Sequence, residues 1–218
     1  MATRFPNESK KYRTARNELL KAELALRKQV EKAASLRRKL PAGGEVPQDY
    51  VFASENGPVK LSGLFERGNA LVAYSFMYGP DMKQACPMCT SFLDGLNGNA
   101  QHIAQRTNLV VIAKSPIERI MEYARGRGWN NLRLLSSAAN TYNRDYHGEN
   151  EKGAQMPMMN VFVKKDGKLR HSYGSELLYA PEEKGQNARH NDLMWPLWNV
   201  LDLTPEGRGS DWYPKIAY

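Results

Sequence analysis

The chain has 218 residues with 41 % hydrophobic content, enough for one sizeable core, and no apolar run near the ~18 residues that would span a membrane. Two cysteines in this length exclude a disulfide-stapled scaffold. The formal charge of +8 invites a nucleic-acid reading, but the first forty residues hold 12 basic and 4 acidic side chains and leave 19 of each beyond them, so no basic groove is expected over the main body.

The N-terminus, Met-Ala-Thr-Arg-Phe-Pro-Asn-Glu, lacks the apolar stretch of a secretory leader, and a soluble cytoplasmic protein is expected. From Asn7 to Leu40 there is no Gly or Pro, and Leu19, Leu20, Leu24, Leu26, Val30, Leu36 and Leu40 recur at roughly helical spacing among Lys and Arg. This predicts a long basic amphipathic helix over 1–40, with the main domain at 41–218. Its apolar face needs cover, from its own domain or from a second copy in a homodimer. Glu18, Glu23 and Glu31 dilute the basic face and no aromatic platform accompanies it, which weighs against nucleic acid and membrane as partners and leaves a nucleic-acid-associated protein using residues 1–40 as a third reading.

Pro41-Ala-Gly-Gly44 ends that helix, and Tyr50-Val-Phe52 and Val59-Lys-Leu61 flank a turn at 55–58 as a hairpin. An apolar run at 70–77 reads as a strand. It breaks at Gly79-Pro80 and leads to Cys86-Pro87-Met88-Cys89, where a helix running to about Arg106 begins, weakened at Gly95 and Gly98. Asn108–Ala113 is a continuous apolar run, as in a strand covered on both faces. Ser115-Pro116-Ile117-Glu118 predicts an N-cap, a first-turn Pro and a capping-box Glu for a helix to Arg127, stopped by Gly128. Leu132–Leu135 is a short strand, 137–153 a polar helix turn and loop, and Met159–Val163 and Leu169–Tyr173 a hairpin about Asp166-Gly167. Leu193–Leu201 is a closing helix whose start Pro196 obscures. The β-α-β-α succession makes the strands at 70 and 108 parallel neighbours.

Cys86 and Cys89, three residues apart at a helix start, share one face, with Cys86 at the open end. Unpaired N–H groups and the positive end of the helix dipole favour a thiolate there, so Cys86 is the candidate attacking thiol and Cys89 the candidate resolving thiol; Lys83 adds a nearby positive charge. Three other readings stand beside this one: half of a zinc site, an inert buried pair, and a structural disulfide. Zinc lacks ligands, because His102, His147, His171 and His190 form no closely spaced pair, and so short a disulfide loop restrains the unfolded chain little. No metal or cofactor is expected.

This order of elements resembles the thioredoxin fold. In that family a cis proline before the third core strand faces the cysteine pair, and Pro157 in Met156-Pro157-Met158 holds the matching place. The resemblance implies that Met156 and Pro157 present backbone N–H and C=O groups to an extended protein or small-molecule disulfide substrate. The hairpin at 46–61 and the strand near 132 resemble peroxiredoxin-type additions. More closely, Phe76–Pro80, Cys86–Thr90, Arg127-Gly-Trp129, Arg189-His190, Trp195-Pro-Leu-Trp198 and Gly207-Arg-Gly209 with Trp212 resemble the DUF899 thioredoxin-like family, whose members are expected to be dithiol-disulfide oxidoreductases of undefined substrate. Two departures matter. Ala85 stands where thioredoxin has Trp, and Lys83 stands where a peroxiredoxin has Thr or Ser, which weakens a peroxidatic reading of Cys86. The alternative function is a non-enzymatic module that binds partners through the first helix.

Overall fold

The computed structural model describes residues 3–184, 194–204 and 213–217, so Arg189, His190, Gly207–Gly209 and Trp212 lie outside the described residues. The chain forms two compact units, 1–41 and 42–218.

In the first unit, helix α1 spans Lys10–Arg38. The Ser9 hydroxyl caps it by accepting from the Tyr12 N–H at 3.1 Å, and Arg13 pairs with Glu8 at 2.8 Å. Arg37 and Arg38 occupy the last turn, where cations complement the dipole. No residue of α1 is buried, and Leu19, Leu26 and Leu36 are exposed. No described helix is long and apolar enough to cross a membrane.

The second unit is built on one seven-stranded sheet. Its elements in chain order are β1 (Val51–Ser54), β2 (Gly57–Lys60), β3 (Ala70–Ser75), α2 (Pro87–Ile103), β4 (Asn108–Ala113), α3 (Ile117–Arg127), β5 (Leu134–Ser136), α4 (Tyr142–Asp145), β6 (Met158–Lys165), β7 (Lys168–Gly174) and α5 (Pro196–Leu201). The strand order is β2-β1-β5-β4-β3-β6-β7. β3, β4 and β5 run parallel, and β6 pairs antiparallel with both β3 and β7. The core order β4-β3-β6-β7, with a helical crossover between β3 and β4, is the thioredoxin-like arrangement, and the β1–β2 hairpin and β5 extend it at one edge as in peroxiredoxins.

Period-two alternation explains why β3 and β4 read as unbroken apolar runs. Tyr74 and Val111 face a core with α2, α3 and α5, while Leu71, Ala73, Val110 and Ile112 face a second core with Tyr50, Phe52, Tyr142 and Phe162. Asp166 and Gly167 both take positive φ, 52° and 73°, the two-residue turn that matches strand twist.

Two local expectations change. α2 runs unbroken through Gly95 and Gly98: the Asn99 side chain bonds the Gly95 carbonyl at 3.1 Å, and Phe92, Leu93 and Ala100 anchor the buried side. Ser115 does not cap α3, whose cap position is Pro116 and which has no side-chain cap. Ser115 is held otherwise, its N–H by the Tyr78 carbonyl at 3.0 Å and its carbonyl by the Ser136 hydroxyl at 2.6 Å. Gly128 at φ 70° ends α3 as read.

Candidate active site

β3 delivers the chain to a loop, and the loop delivers Cys86 to the start of α2. Pro87 occupies the first helical turn, where a missing N–H costs nothing, and Cys86 itself is the N-cap residue, with extended backbone and no side-chain cap bond. The main chain around it is fixed. The Cys86 N–H donates to the Met77 carbonyl at 3.1 Å, and the Cys86 carbonyl accepts from both the N–H and the hydroxyl of Thr90 at 3.0 Å. The Thr90 hydroxyl in turn meets the Tyr123 hydroxyl at 2.8 Å.

Arg119 of α3 holds the preceding loop. Its guanidinium donates to the carbonyls of Gly79 at 3.1 Å and Pro80 at 3.0 Å and to that of Met82, and lies 4.4 Å from the Tyr78 ring centroid. It therefore acts as a splint between α3 and the segment that presents the cysteines.

Both cysteines are free thiols, Cys86 half-buried and Cys89 buried. Their environments push them in opposite directions. The Cys89 thiol, hydrogen-bonded to the Cys86 sulfur, and then the N–H groups of Cys89 and Met88 bring the Cys86 thiol down to about 6 against the opposing effect of burial. Lys83 is not among the groups that lower it. Burial first, then Cys86, raises the Cys89 thiol well above its ordinary value, while the Tyr74 hydroxyl draws it down.

Tyr74 is fully buried on β3, its ring 4.8 Å from that of Phe92. Its hydroxyl reaches no nitrogen or oxygen partner and stands beside the Cys89 thiol, short of full hydrogen-bond geometry. Tyr179, in a short 3-10 turn after β7 (Glu176–Tyr179), is raised to about 12 by burial and then by Cys89. Its hydroxyl donates to the Pro157 carbonyl.

Met156 and Pro157 lie at the sheet end from which the cysteine loop departs, because Ser75 pairs with Met158. No described peptide bond is cis, so the Met156–Pro157 bond is trans. The Met156 N–H donates to the Gly148 carbonyl at 2.9 Å, and Tyr179 occupies the Pro157 carbonyl, so these two groups are engaged within the protein. Neither bond uses the Met156 carbonyl.

The sequence singled out both cysteines and Pro157 but not Tyr74, Arg119 or Tyr179. A tyrosine at a strand position of cysteine-facing parity was the available signal for Tyr74. Arg119 and Tyr179 act across long sequence separations and left none. Among the described residues no group of three or more His, Cys, Asp or Glu stands placed to hold a metal ion.

Several solved structures are similar in fold. Peroxidoxin BcpB from Mycobacterium tuberculosis is 24 % identical, with 60 % of this chain and 82 % of that chain covered and a TM-score of 0.45. A mutant of PrxQ from Xylella fastidiosa is 13 % identical, with 62 % and 84 % covered and a TM-score of 0.47. The exposed lipoprotein thioredoxin of Streptococcus pneumoniae is 15 % identical, with 56 % and 85 % covered and a TM-score of 0.41. No curated protein matches the chain. Residues 2–218 match the model of a family described as "Bacterial protein of unknown function (DUF899)", and the chain belongs to that family.

Proposed function

We propose that this protein is a dithiol-disulfide oxidoreductase in which Cys86 attacks and Cys89 resolves. The observation that carries the reading is the pair of opposed thiols at the start of α2, one accessible and brought down to about 6, the other buried and raised. The Cys86 thiolate attacks one sulfur of a substrate disulfide, forms a mixed disulfide and expels the other sulfur as a thiolate, which takes up a proton. Cys89 then loses its proton and attacks Cys86. This closes the Cys86–Cys89 disulfide and releases the second substrate thiol. Two electrons pass from the protein to the substrate, and an external dithiol restores the reduced pair.

The geometry supplies a reason for the order of steps. While Cys86 is a thiolate, its charge opposes ionisation of Cys89 and it accepts the Cys89 proton in a hydrogen bond. Forming the mixed disulfide removes both effects. Cys89 then ionises more readily, and the Tyr74 hydroxyl, with no other partner, is free to donate to the new thiolate. Tyr74 is thus a positioning residue for the second step. Met156 and Pro157 form the substrate-facing edge, through the Met156 carbonyl rather than an N–H. A dithiol that must be kept reduced suits a reducing compartment such as the cytoplasm.

Reduction of insulin disulfides by the wild type and Cys86→Ser tests the reading. The variant is expected to lose turnover, and equal turnover in both refutes it. Cys89→Ser is expected to accumulate the mixed disulfide.

The exposed leucines of α1 favour a second reading, in which residues 1–40 form a separate element for partner binding or homodimerisation beside a thioredoxin-like domain at 41–218. A full-length Leu19→Lys, Leu26→Lys variant with the sedimentation behaviour of the wild type removes the helix from self-association.

A further inference from the structure

A cavity of about 670 Å³ opens between the loop leading into β6 and the 3-10 turn after β7, lined by Met156, Met158, Leu177, Tyr179 and Ala180, with Glu176 at its edge. Tyr179 ties this cavity to the sheet end from which the cysteine loop departs, since its hydroxyl donates to the Pro157 carbonyl and Met158, which also lines the cavity, pairs with Ser75. A substrate disulfide docked at Cys86 along the Met156–Pro157 edge would run its flanking residues into this space.

The lining says which residues fit. Methionine is unbranched and polarisable, so Met156 and Met158 with Leu177 make an apolar floor that adapts to side chains of different shape. The charges are one-sided. Glu149 is buried to 9 % exposure and neutralised by an ion pair with Lys114, Glu176 is exposed and forms no ion pair among the described residues, and no described Lys or Arg lines the space. His147 also lines the space. A carboxylate entering here loses water, finds no Lys or Arg among the described lining residues and meets Glu176.

Resting on the oxidoreductase reading above, we propose that this cavity selects peptide or protein disulfides whose cysteine is flanked by a large apolar residue with a neutral or basic neighbour, and discriminates against anionic disulfides. Glutathione disulfide, whose halves carry more carboxylates than amines, is the small-molecule case it disfavours.

Three probes test this with the full-length protein: two peptide disulfides of identical length flanked by Leu-Lys or by Glu-Glu, and glutathione disulfide. The wild type is expected to show a kcat/KM about tenfold or more higher for the Leu-Lys peptide, the order that one side chain contributes in an apolar pocket. Leu177→Glu is expected to erase most of that preference through KM, and Glu176→Gln to narrow it by raising activity toward the Glu-Glu peptide. Both should leave the pH midpoint of Cys86 alkylation by iodoacetamide unchanged. Equal turnover of all three probes, insensitive to Leu177→Glu, overturns the selectivity while the oxidoreductase reading stands. No turnover of any probe, with Cys86→Ser indistinguishable from wild type, overturns both.

Discussion

The two faces of the sheet carry aromatic clusters of similar make-up, and they differ in what their polar tips do. On the face that packs Tyr50, Phe52, Tyr142, Tyr146 and Phe162, polar groups close on one another, apart from the Tyr142 hydroxyl, which has no partner among the described residues and faces no thiol. The Tyr50 hydroxyl donates to Asp145 at 2.8 Å, the Asn160 side chain donates to the Tyr146 carbonyl at 3.1 Å, and its oxygen meets His171 at 2.8 Å. On the face that packs Tyr74, Phe76, Phe92 and Trp129, the Tyr74 hydroxyl ends beside a thiol. Buried polar groups that satisfy each other specify a structure, whereas a buried polar group directed at a titratable sulfur is set to respond when that sulfur changes state.

The largest test of this contrast is chemical. Alkylation of Cys86 should titrate with a midpoint near pH 6, so that about nine-tenths of it is thiolate at pH 7, against a few per cent for an ordinary thiol. A midpoint above about 8 would remove the distinction between the faces. On the closed face Phe162, fully buried, should cost about 3–5 kcal/mol when replaced by Ala, read from the urea midpoint. The Cys86 midpoint should not move in that variant, and a shared response would mean the faces are not separate.

Tyr74→Phe sharpens the comparison further. Deleting a hydroxyl that has no nitrogen or oxygen partner should leave stability within about 0.5 kcal/mol, yet slow decay of the mixed disulfide roughly tenfold, the order expected for one hydrogen bond to a charged group. Its pH profile for that step should shift upward while Cys86 alkylation stays the same. The smallest effect concerns His171. Burial, and His147 less so, hold its imidazole below the ordinary value against the opposing pull of Glu176. The folded protein therefore binds fewer protons than the unfolded chain as pH falls below about 6.5, so this contribution is complete above that value and is lost as pH drops through the folded value. Urea midpoints measured from pH 7.5 to 5 should decline less in His171→Asn than in wild type.

What could be read from the sequence depended on how local the cause was. The turn at Asp166-Gly167, the stop at Gly128 and the Pro87 start of α2 each follow from backbone preferences of one or two residues, and the structure keeps them. The parallel β3–β4 pair followed from the β-α-β-α succession. By contrast, Ser115 looked like a cap until Tyr78 and Ser136, far from it in sequence, claimed its backbone. The site divided the same way. Cys86 and Cys89 announced themselves by spacing, but the groups that tune and frame them, Tyr74, Arg119 and Tyr179, acquire those roles only when the sheet brings its edge together.

The splint formed by Arg119 also bears on how the protein is seen by its neighbours. With the chain tied to α3 before Cys86 and to α2 after it, there is little slack for the backbone to swing when the sulfurs join or separate. In the proposed reaction, gaining or losing two electrons then becomes an event of two side chains, with the backbone around Cys86 left in place. On that reading, a reductant that regenerates the pair has to tell the two states apart by the sulfurs themselves, through direct collision at the helix tip.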